Sequence, residues 1–333
     1  MGSALPKLKS RGYSRRDTSK PKGRQLVQVA LGEVEGALAG LACRRDLLIE
    51  GLHRIQDNYG HLHVDHLRAL AELFKLSQAE VFEVASFYHH FDVVGEAEKA
   101  PPKITVRVCD SVSCMLNGAP ELIDELNSAV DLQKVRVCPV PCIGRCANAP
   151  AANVGKRSVD NATVDEILTA VKSRRSENIP DYENLENYLA KGGYEVLKSC
   201  LQGQIGRDEA ISIMSDSGLR GMGGAGFPAG RKWSIVRGYR GPRLMTINGD
   251  EGEVGTFKDR YWLEKEPHRM FEGALIAAWA VGCDRIYLYM RDEYPAVLEI
   301  LRREIKVLSE SGLGVQSPIE LRRGAGAYIC GEE

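Results

Sequence analysis

The sequence predicts an α/β chain in three parts: a helical bundle, a compact sheet-and-helix unit, and the start of a parallel-sheet domain. Three observations predict it. Helical periodicity runs from about 33 to 96, β-alternation begins at Lys103, and beyond Arg243 strands and helices alternate at lengths that need right-handed crossovers. At 333 residues, 44% hydrophobic and 27% charged, the chain can bury more than one core and is not mainly disordered. A formal charge of -1 argues against nucleic-acid binding throughout. The longest charge-free apolar run found, Gly273 to Cys283, is far short of a bilayer span of ~20 residues. A soluble, cytoplasmic protein without membrane or nucleic-acid partners is expected.

The first 24 residues hold eight basic side chains against Asp17, a charge of +7 that leaves -8 for the rest. Residues 1–32 are expected to be a disordered basic arm; Lys20, Lys22 and Arg24 stand where an export signal would need an apolar run. Next, Leu47, Leu48, Leu52 and Ile55 recur at helix spacing, Gly60 reads as a stop, and Ser77 to Glu80 forms a capping box. The histidines here, His53, His61, His63, His66, His89 and His90, lack cysteine or carboxylate at ligand spacing and read as packing or surface residues.

The second unit reads as strand Lys103 to Cys109, helix Glu121 to Val130, strand Val135 to Cys138 and short strand Ala151 to Val154. A helix from the Thr163 to Glu166 capping box follows. Its size and order suit a thioredoxin-sized α/β unit, and Ser173 to Asp181 reads as a linker. The third part predicts strands Arg243 to Asn248, Arg285 to Met290 and Ile319 to Arg323, with helices Pro267 to Val281 and Pro295 to Ser311. The domains are thus 33–175 and 182–333, after the arm.

Nine cysteines in a long chain without a secretory segment argue against a disulfide framework. Five fall between 109 and 146. Cys109 and Cys114, then Cys142 and Cys146, form two short-spaced pairs at strand ends, so four thiolates can meet at one edge. A [2Fe-2S] cluster, a four-cysteine zinc and buried inert thiols all remain open on spacing alone. The segments Val108 to Met115 and Pro141 to Pro150, with Ala85 to Tyr88, closely resemble the thioredoxin-like [2Fe-2S] subunit of respiratory complex I, over about residues 35–175. That resemblance implies Cys109, Cys114, Cys142 and Cys146 as cluster ligands and leaves Cys138 outside the set.

Gly221 to Gly226 formally matches a dinucleotide fingerprint, but a helix rather than a strand precedes it, so the usual placement fails. A glycine-rich backbone can still turn N–H groups toward phosphate, with Arg231 and Lys232 adding charge; a merely structural turn is the alternative. Asn248 to Glu253 and Gly324 to Glu333 leave the carboxyl ends of the first and third strands, where open sheets hold ligands. Asp250, Glu251 and Glu253 would repel one another without hydrogen bonds or a ligand, unless the turn is simply solvated. The segments Ser217 to Trp233, Asn248 to Arg260 and Gly324 to Glu333 resemble the flavin- and NADH-binding subunit of complex I and its soluble relatives, over about 185–333. The resemblance implies that Gly221, Gly223, Lys232, Asn248, Asp250, Glu251 and Gly331 line FMN, and that Phe227, Glu253 and Glu333 face NAD(H). Met222 stands where many members have arginine, and Val254 where many have proline.

Together the two resemblances imply a helical bundle plus thioredoxin-like [2Fe-2S] domain, followed by the start of a parallel-sheet FMN/NADH-binding domain. Such a fusion resembles diaphorase subunits that join NAD to one-electron carriers, in formate dehydrogenases and in NAD-linked hydrogenases. Met222 and the basic arm incline this reading to the β subunit of a formate dehydrogenase, with a molybdenum or tungsten α subunit as partner. The alternatives are a diaphorase of a hydrogenase or complex I, a non-catalytic electron-transfer adaptor, or a zinc-stapled NAD-binding module. The flavin would carry the hydride, so no catalytic side chain is expected. The last motif stops at Glu333, from which a fragment is expected, with a [4Fe-4S] cluster only beyond it and weak FMN binding by residues 1–333 alone.

Overall fold

The computed structural model describes residues 23–173, 178–222 and 225–331. Helices α1 (Gln28–Ala37), α2 (Leu48–Tyr59), α3 (Val64–Phe74) and α4 (Gln78–Phe87) form the bundle, with the two-residue strands β1 (Leu62–His63) and β2 (Val93–Val94) paired in parallel. Val34, Leu52, Ile55, Leu70 and Val81 fill its core. Gly60 ends α2 with a left-handed φ of 77°, and the Ser77–Glu80 capping box is present at α4. The bundle starts earlier than expected. Helix α1 opens inside the stretch read as arm, and Arg24 is fastened by Asp65 at 2.7 Å and Glu96 at 2.6 Å. Residues 1–22 of the arm lie outside the described residues.

The second unit runs β3 (Ile104–Cys109), α5 (Val112–Met115), α6 (Ala119–Ala129), β4 (Val135–Val140), β5 (Ala152–Val154), β6 (Arg157–Val159) and α7 (Val164–Ser173). Its sheet order is β4-β3-β5-β6, with β3 and β4 parallel and the other two pairs antiparallel. Alternation buries Val106 and Val108 against α6 and α7 through Leu126 and Ile167. The same register delivers Cys109 to the carboxyl end of β3.

Four short helices, α8 (Leu185–Ala190), α9 (Glu195–Leu201), α10 (Arg207–Asp216) and α11 (Ala229–Gly238), lead into the third unit. It continues with β7 (Leu244–Gly249), α12 (Lys258–Leu263), α13 (Pro267–Val281), β8 (Arg285–Met290), α14 (Pro295–Ser311) and β9 (Ile319–Arg323). Strands β7, β8 and β9 form a parallel sheet in that order, so the loops after all three leave from one edge. The bounds of α13 and α14 are those predicted: proline fits the first helical turn, and Gly282 and Gly312 supply the left-handed stop. Phe271, Ile286, Leu288 and Leu301 center this core. Ala325, from the loop after β9, is buried in the bundle core, so the first and third units interlock.

Candidate functional site

Cys109 closes β3, Cys114 sits on the single turn α5, and Cys142 and Cys146 bracket the loop after β4. The first three are buried and Cys146 is half-buried. The sulfurs of Cys142 and Cys146 are 3.3 Å apart. The Cys109 sulfur faces both Cys114 and Cys142, so the four follow one another in the order 114, 109, 142, 146. Backbone N–H groups point at each: Ser111 and Ile143 at Cys109, Ala151 at Cys114, Gly144 at Cys142 and Gly255 at Cys146. Hydrogen bonds from Cys114 and Cys142 push the Cys109 thiol down to about 2, and bonding to Cys109, aided by burial, pushes the other two up.

Four thiolates therefore cannot coexist here without cationic charge among them, and iron ions supply such charge. The four sulfurs run in one unbroken row, a soft all-thiolate set of the kind an iron–sulfur centre takes. Cys138 stays on β4, against the sheet core.

The acidic loop after β7 resolves its own repulsion. Glu251 adopts a left-handed φ of 45° and turns inward until its side chain is 0% exposed. Its carboxylate accepts from the Asp259 N–H at 2.7 Å, the Arg260 N–H at 3.1 Å and the Tyr294 hydroxyl at 3.0 Å. Glu253 accepts from the Tyr328 hydroxyl at 2.8 Å. Asp250 is also buried, and burial pushes its carboxyl up to about 6, although the Arg291 charge and a hydrogen bond from Tyr289 work against the shift. Asn248 ties this loop to the one after β9 by donating to the Gly331 carbonyl at 2.7 Å. A Cβ on Gly331 would lie 2.7 Å from Asp250 Oδ2, so only glycine lets the two loops close there.

The glycine-dense segment is a turn held by its own backbone. The Gly221 N–H donates to the Phe227 carbonyl at 2.9 Å, the Ala229 N–H to the Leu219 carbonyl at 2.9 Å, and Arg220 to the Gly226 carbonyl at 3.0 Å. Lys232 is exposed on the first turn of α11, and the half-exposed Phe227 ring lies beneath the Arg231 guanidinium, 5.7 Å away. Of the remaining expected site residues, Gly223 and Glu333 lie outside the described residues.

What sequence reasoning missed is the junction between the thiol site and the acidic loop. The Gly255 N–H donates to Cys146 Sγ at 3.3 Å, Arg260 to the Gly144 carbonyl at 3.2 Å, and Arg291 to the carbonyls of Cys142 at 2.6 Å and Glu251 at 2.7 Å. Gly144 has φ 70°, and a Cβ there would fall 2.2 Å from the Tyr294 hydroxyl. One signal was available: Arg291 immediately follows β8 at the ligand-holding edge of the sheet.

Comparison with known proteins identifies the second and third units. Residues 34–175 match the thioredoxin-like [2Fe-2S] ferredoxin family, and residues 214–333 match the Nuo51 FMN-binding domain. The NAD-reducing hydrogenase HoxS subunit alpha of Cupriavidus necator is 32% identical, over 87% of this chain and 54% of the relative. An F-type subunit of the NADH-quinone oxidoreductase of Rhizobium meliloti is 42% identical, over 48% of this chain and 40% of its own length. A crystal structure of an air-oxidized NAD+-reducing [NiFe]-hydrogenase superposes with a TM-score of 0.72 at 28% identity, covering 86% of this chain and 53% of that one. The chain therefore spans about half the length, or less, of these relatives. It is a mixed α/β protein with a thioredoxin-like [2Fe-2S] domain and an FMN/NADH-binding domain of the Nuo51 type. These relatives overturn the formate dehydrogenase assignment and, with it, the molybdenum or tungsten partner. That assignment leaned on the basic arm and on Met222, which projects from the turn at 85% exposure.

Proposed function

We propose that the chain is the NAD(H)-linked electron-entry unit of a larger assembly of the NAD-reducing hydrogenase type. The single observation that carries this reading is the junction itself: the loop that presents Cys142 and Cys146 is hydrogen-bonded directly to the acidic loop of the nucleotide-binding sheet. When bound, FMN exchanges hydride with nicotinamide and single electrons with iron–sulfur centres, which is the conversion such a junction needs.

The chain's own residues bind and orient. Gly221 and Gly223 would lie against the flavin, Gly221 by the close approach its missing side chain allows, since its N–H is held by the Phe227 carbonyl, and Lys232 adds charge. Asn248, Asp250 and Gly331, packed against one another, would line the flavin. Glu251 holds its loop in shape from inside. The exposed Phe227 ring offers a stacking face for NAD(H). Glu253, steadied by Tyr328, and Glu333 orient ribose hydroxyls and repel the additional phosphate of NADP. Cys109, Cys114, Cys142 and Cys146 would hold the [2Fe-2S] cluster.

A hydrogenase-type assembly is preferred to complex I on one ground. The hydrogenase relative aligns over 87% of this chain, spanning both domains, whereas the quinone oxidoreductase relative covers 48%. A [NiFe] catalytic subunit is accordingly the expected partner. All nine cysteines are free, which suits a reducing compartment such as the cytoplasm. Among the described residues no helix is long and apolar enough to cross a membrane.

The test is affinity purification of the intact assembly under anaerobic conditions. The expected result is nickel with iron in the complex, and NADH-dependent ferricyanide reduction that requires FMN. Absence of NADH oxidation in an FMN- and iron-loaded complex would refute the diaphorase reading; activity without nickel would refute only the choice of partner.

A further inference from the structure

We infer that Arg291 sets the reduction potential of the [2Fe-2S] centre, acting as a positioning residue whose charge favours the reduced cluster. The inference rests on the proposed function, in which the four thiols hold such a centre.

Arg291 is 5% exposed and spans the junction. One nitrogen, Nη2, donates to the backbone carbonyl of Cys142, a thiol of the cluster site, at 2.6 Å, while Nη1 donates to the Glu251 carbonyl at 2.7 Å. The guanidinium also lies over the Tyr294 ring, 5.0 Å from its centroid. A planar fork with two separated donors can bridge two carbonyls in this way; a lysine ammonium cannot fix both directions.

Each arginine of the junction has a carboxylate beside it. Arg260 pairs with Glu264 at 3.0 Å and Arg145 with Asp160 at 3.0 Å. Arg291 has Glu293, 3.2 Å away, which also faces His90 at 3.9 Å. Burial opposes the Glu293 charge, yet Arg291 and His90 hold its carboxyl below the usual range, so a buried plus-minus pair stands behind Cys142 with the positive end on the ligand's own backbone.

The step this pair tunes is simple. One electron enters the cluster, its net charge becomes more negative by one, and no bond or proton changes. A fixed cation against Cys142 stabilises the product of that step, and a fixed anion destabilises it; in a buried setting neither is strongly screened by salt. The Gly144 N–H on Cys142 and the Gly255 N–H on Cys146 act in the same direction. The nucleotide-binding domain reaches this second pair, with the Gly255 N–H on the Cys146 sulfur and Arg291 on the Cys142 carbonyl, while Cys109 and Cys114 receive their backbone donors from Ser111, Ile143 and Ala151 of their own domain. The flavin domain thereby acts on the cluster from the Cys142 and Cys146 side.

The experiment is an EPR-monitored redox titration of the holoprotein. Arg291→Gln removes the cation and is expected to shift the reduction equilibrium at least tenfold toward the oxidised cluster, a fall of about 59 mV for one electron. Glu293→Gln removes the anion and is expected to move the potential upward. Arg291→Lys keeps the charge and is expected to fall by less than Arg291→Gln. A residue that merely glues the loops together would not give opposite signs for its own loss and that of its counter-ion. Should Arg291→Gln fail to retain a cluster, Glu293→Gln decides alone, and an unmoved or lowered potential there overturns the inference. A parent protein with no reducible [2Fe-2S] signal overturns the cluster reading itself, and this inference with it.

Discussion

Gly144 and Asp250 show how much of the site depends on single side chains, or on their absence. The Gly144 backbone is left-handed and in contact with the Tyr294 hydroxyl. Gly144→Ala must strain φ and displace that tyrosine, at a cost of roughly 1–3 kcal/mol. The expected outcome is a lower iron-to-protein ratio with helical circular dichroism intact; full iron occupancy would show that the loop can yield. Asp250 makes a prediction about pH. Its folded carboxyl, raised to about 6 by burial, lies above the ordinary value of 3.8, so the stability it lends is present at acid pH and is lost as pH rises through that interval. Asp250→Asn removes the ionising group and is expected to raise unfolding free energy at pH 7.5 by about 1–3 kcal/mol relative to the parent, with little difference at pH 4. Urea titrations of the flavin-free protein at the two pH values check it, and an equal offset at both contradicts it.

At the scale of elements, the sequence was most readable where a boundary has a local cause. The capping boxes at Ser77 and Thr163 are formed as expected, and the prolines and glycines bounding α13 and α14 predict them to the residue. The three-residue strand β6 and the six-residue helix α12 were not legible, because elements that short leave no period to detect. Helix α12 also depends on a distant group, since Glu251 takes two of its first N–H groups into a buried carboxylate. Local patterning left open whether hydrogen bonds, a ligand or solvent relieves the acidic loop; a left-handed non-glycine backbone turns Glu251 inward to hydrogen bonds, which no local pattern specifies. Glu251→Ala leaves three donors unpaired, the Asp259 and Arg260 N–H groups and the Tyr294 hydroxyl, and is expected to cost about 3 kcal/mol. Glu251→Gln should recover only part, because half of its terminal amide is itself a donor. Hydrogen exchange at the Asp259 and Arg260 amides reports the effect, and unchanged protection in Glu251→Ala would show that the cap is dispensable.

Across the whole molecule, the cysteine pairs and the glycine-rich motifs were visible one by one, but the surfaces that bring them together were not. Those surfaces rest on contacts between residues more than 100 positions apart, such as the hydrogen bonds of Arg260 to Gly144, Arg291 to Cys142 and His90 to Asp292 and the ion pairs of Arg322 with Glu50 and Arg323 with Asp57, which no local period encodes. His53 is the titratable hinge of this contact. It is 4% exposed, its Nε2–H donates to the Gly324 carbonyl at 2.7 Å, and its ring meets Phe91 edge-on. Burial, with the Arg323 charge second, lowers its pKa from 6.5 to about 4. The native contact thus holds neutral histidine, so its contribution is complete above pH 6.5 and is lost progressively as pH falls toward 4, where the unfolded chain takes up a proton that the folded one refuses. Between pH 7 and pH 5 this linkage amounts to about 2 kcal/mol. His53→Gln keeps a donor for the Gly324 carbonyl but cannot titrate, so its stability should fall less steeply over that interval, by about the same amount. Denaturant unfolding at both pH values measures the difference, and parallel acid limbs for the two proteins would show that the bundle's hold on the nucleotide-binding sheet owes nothing to this imidazole.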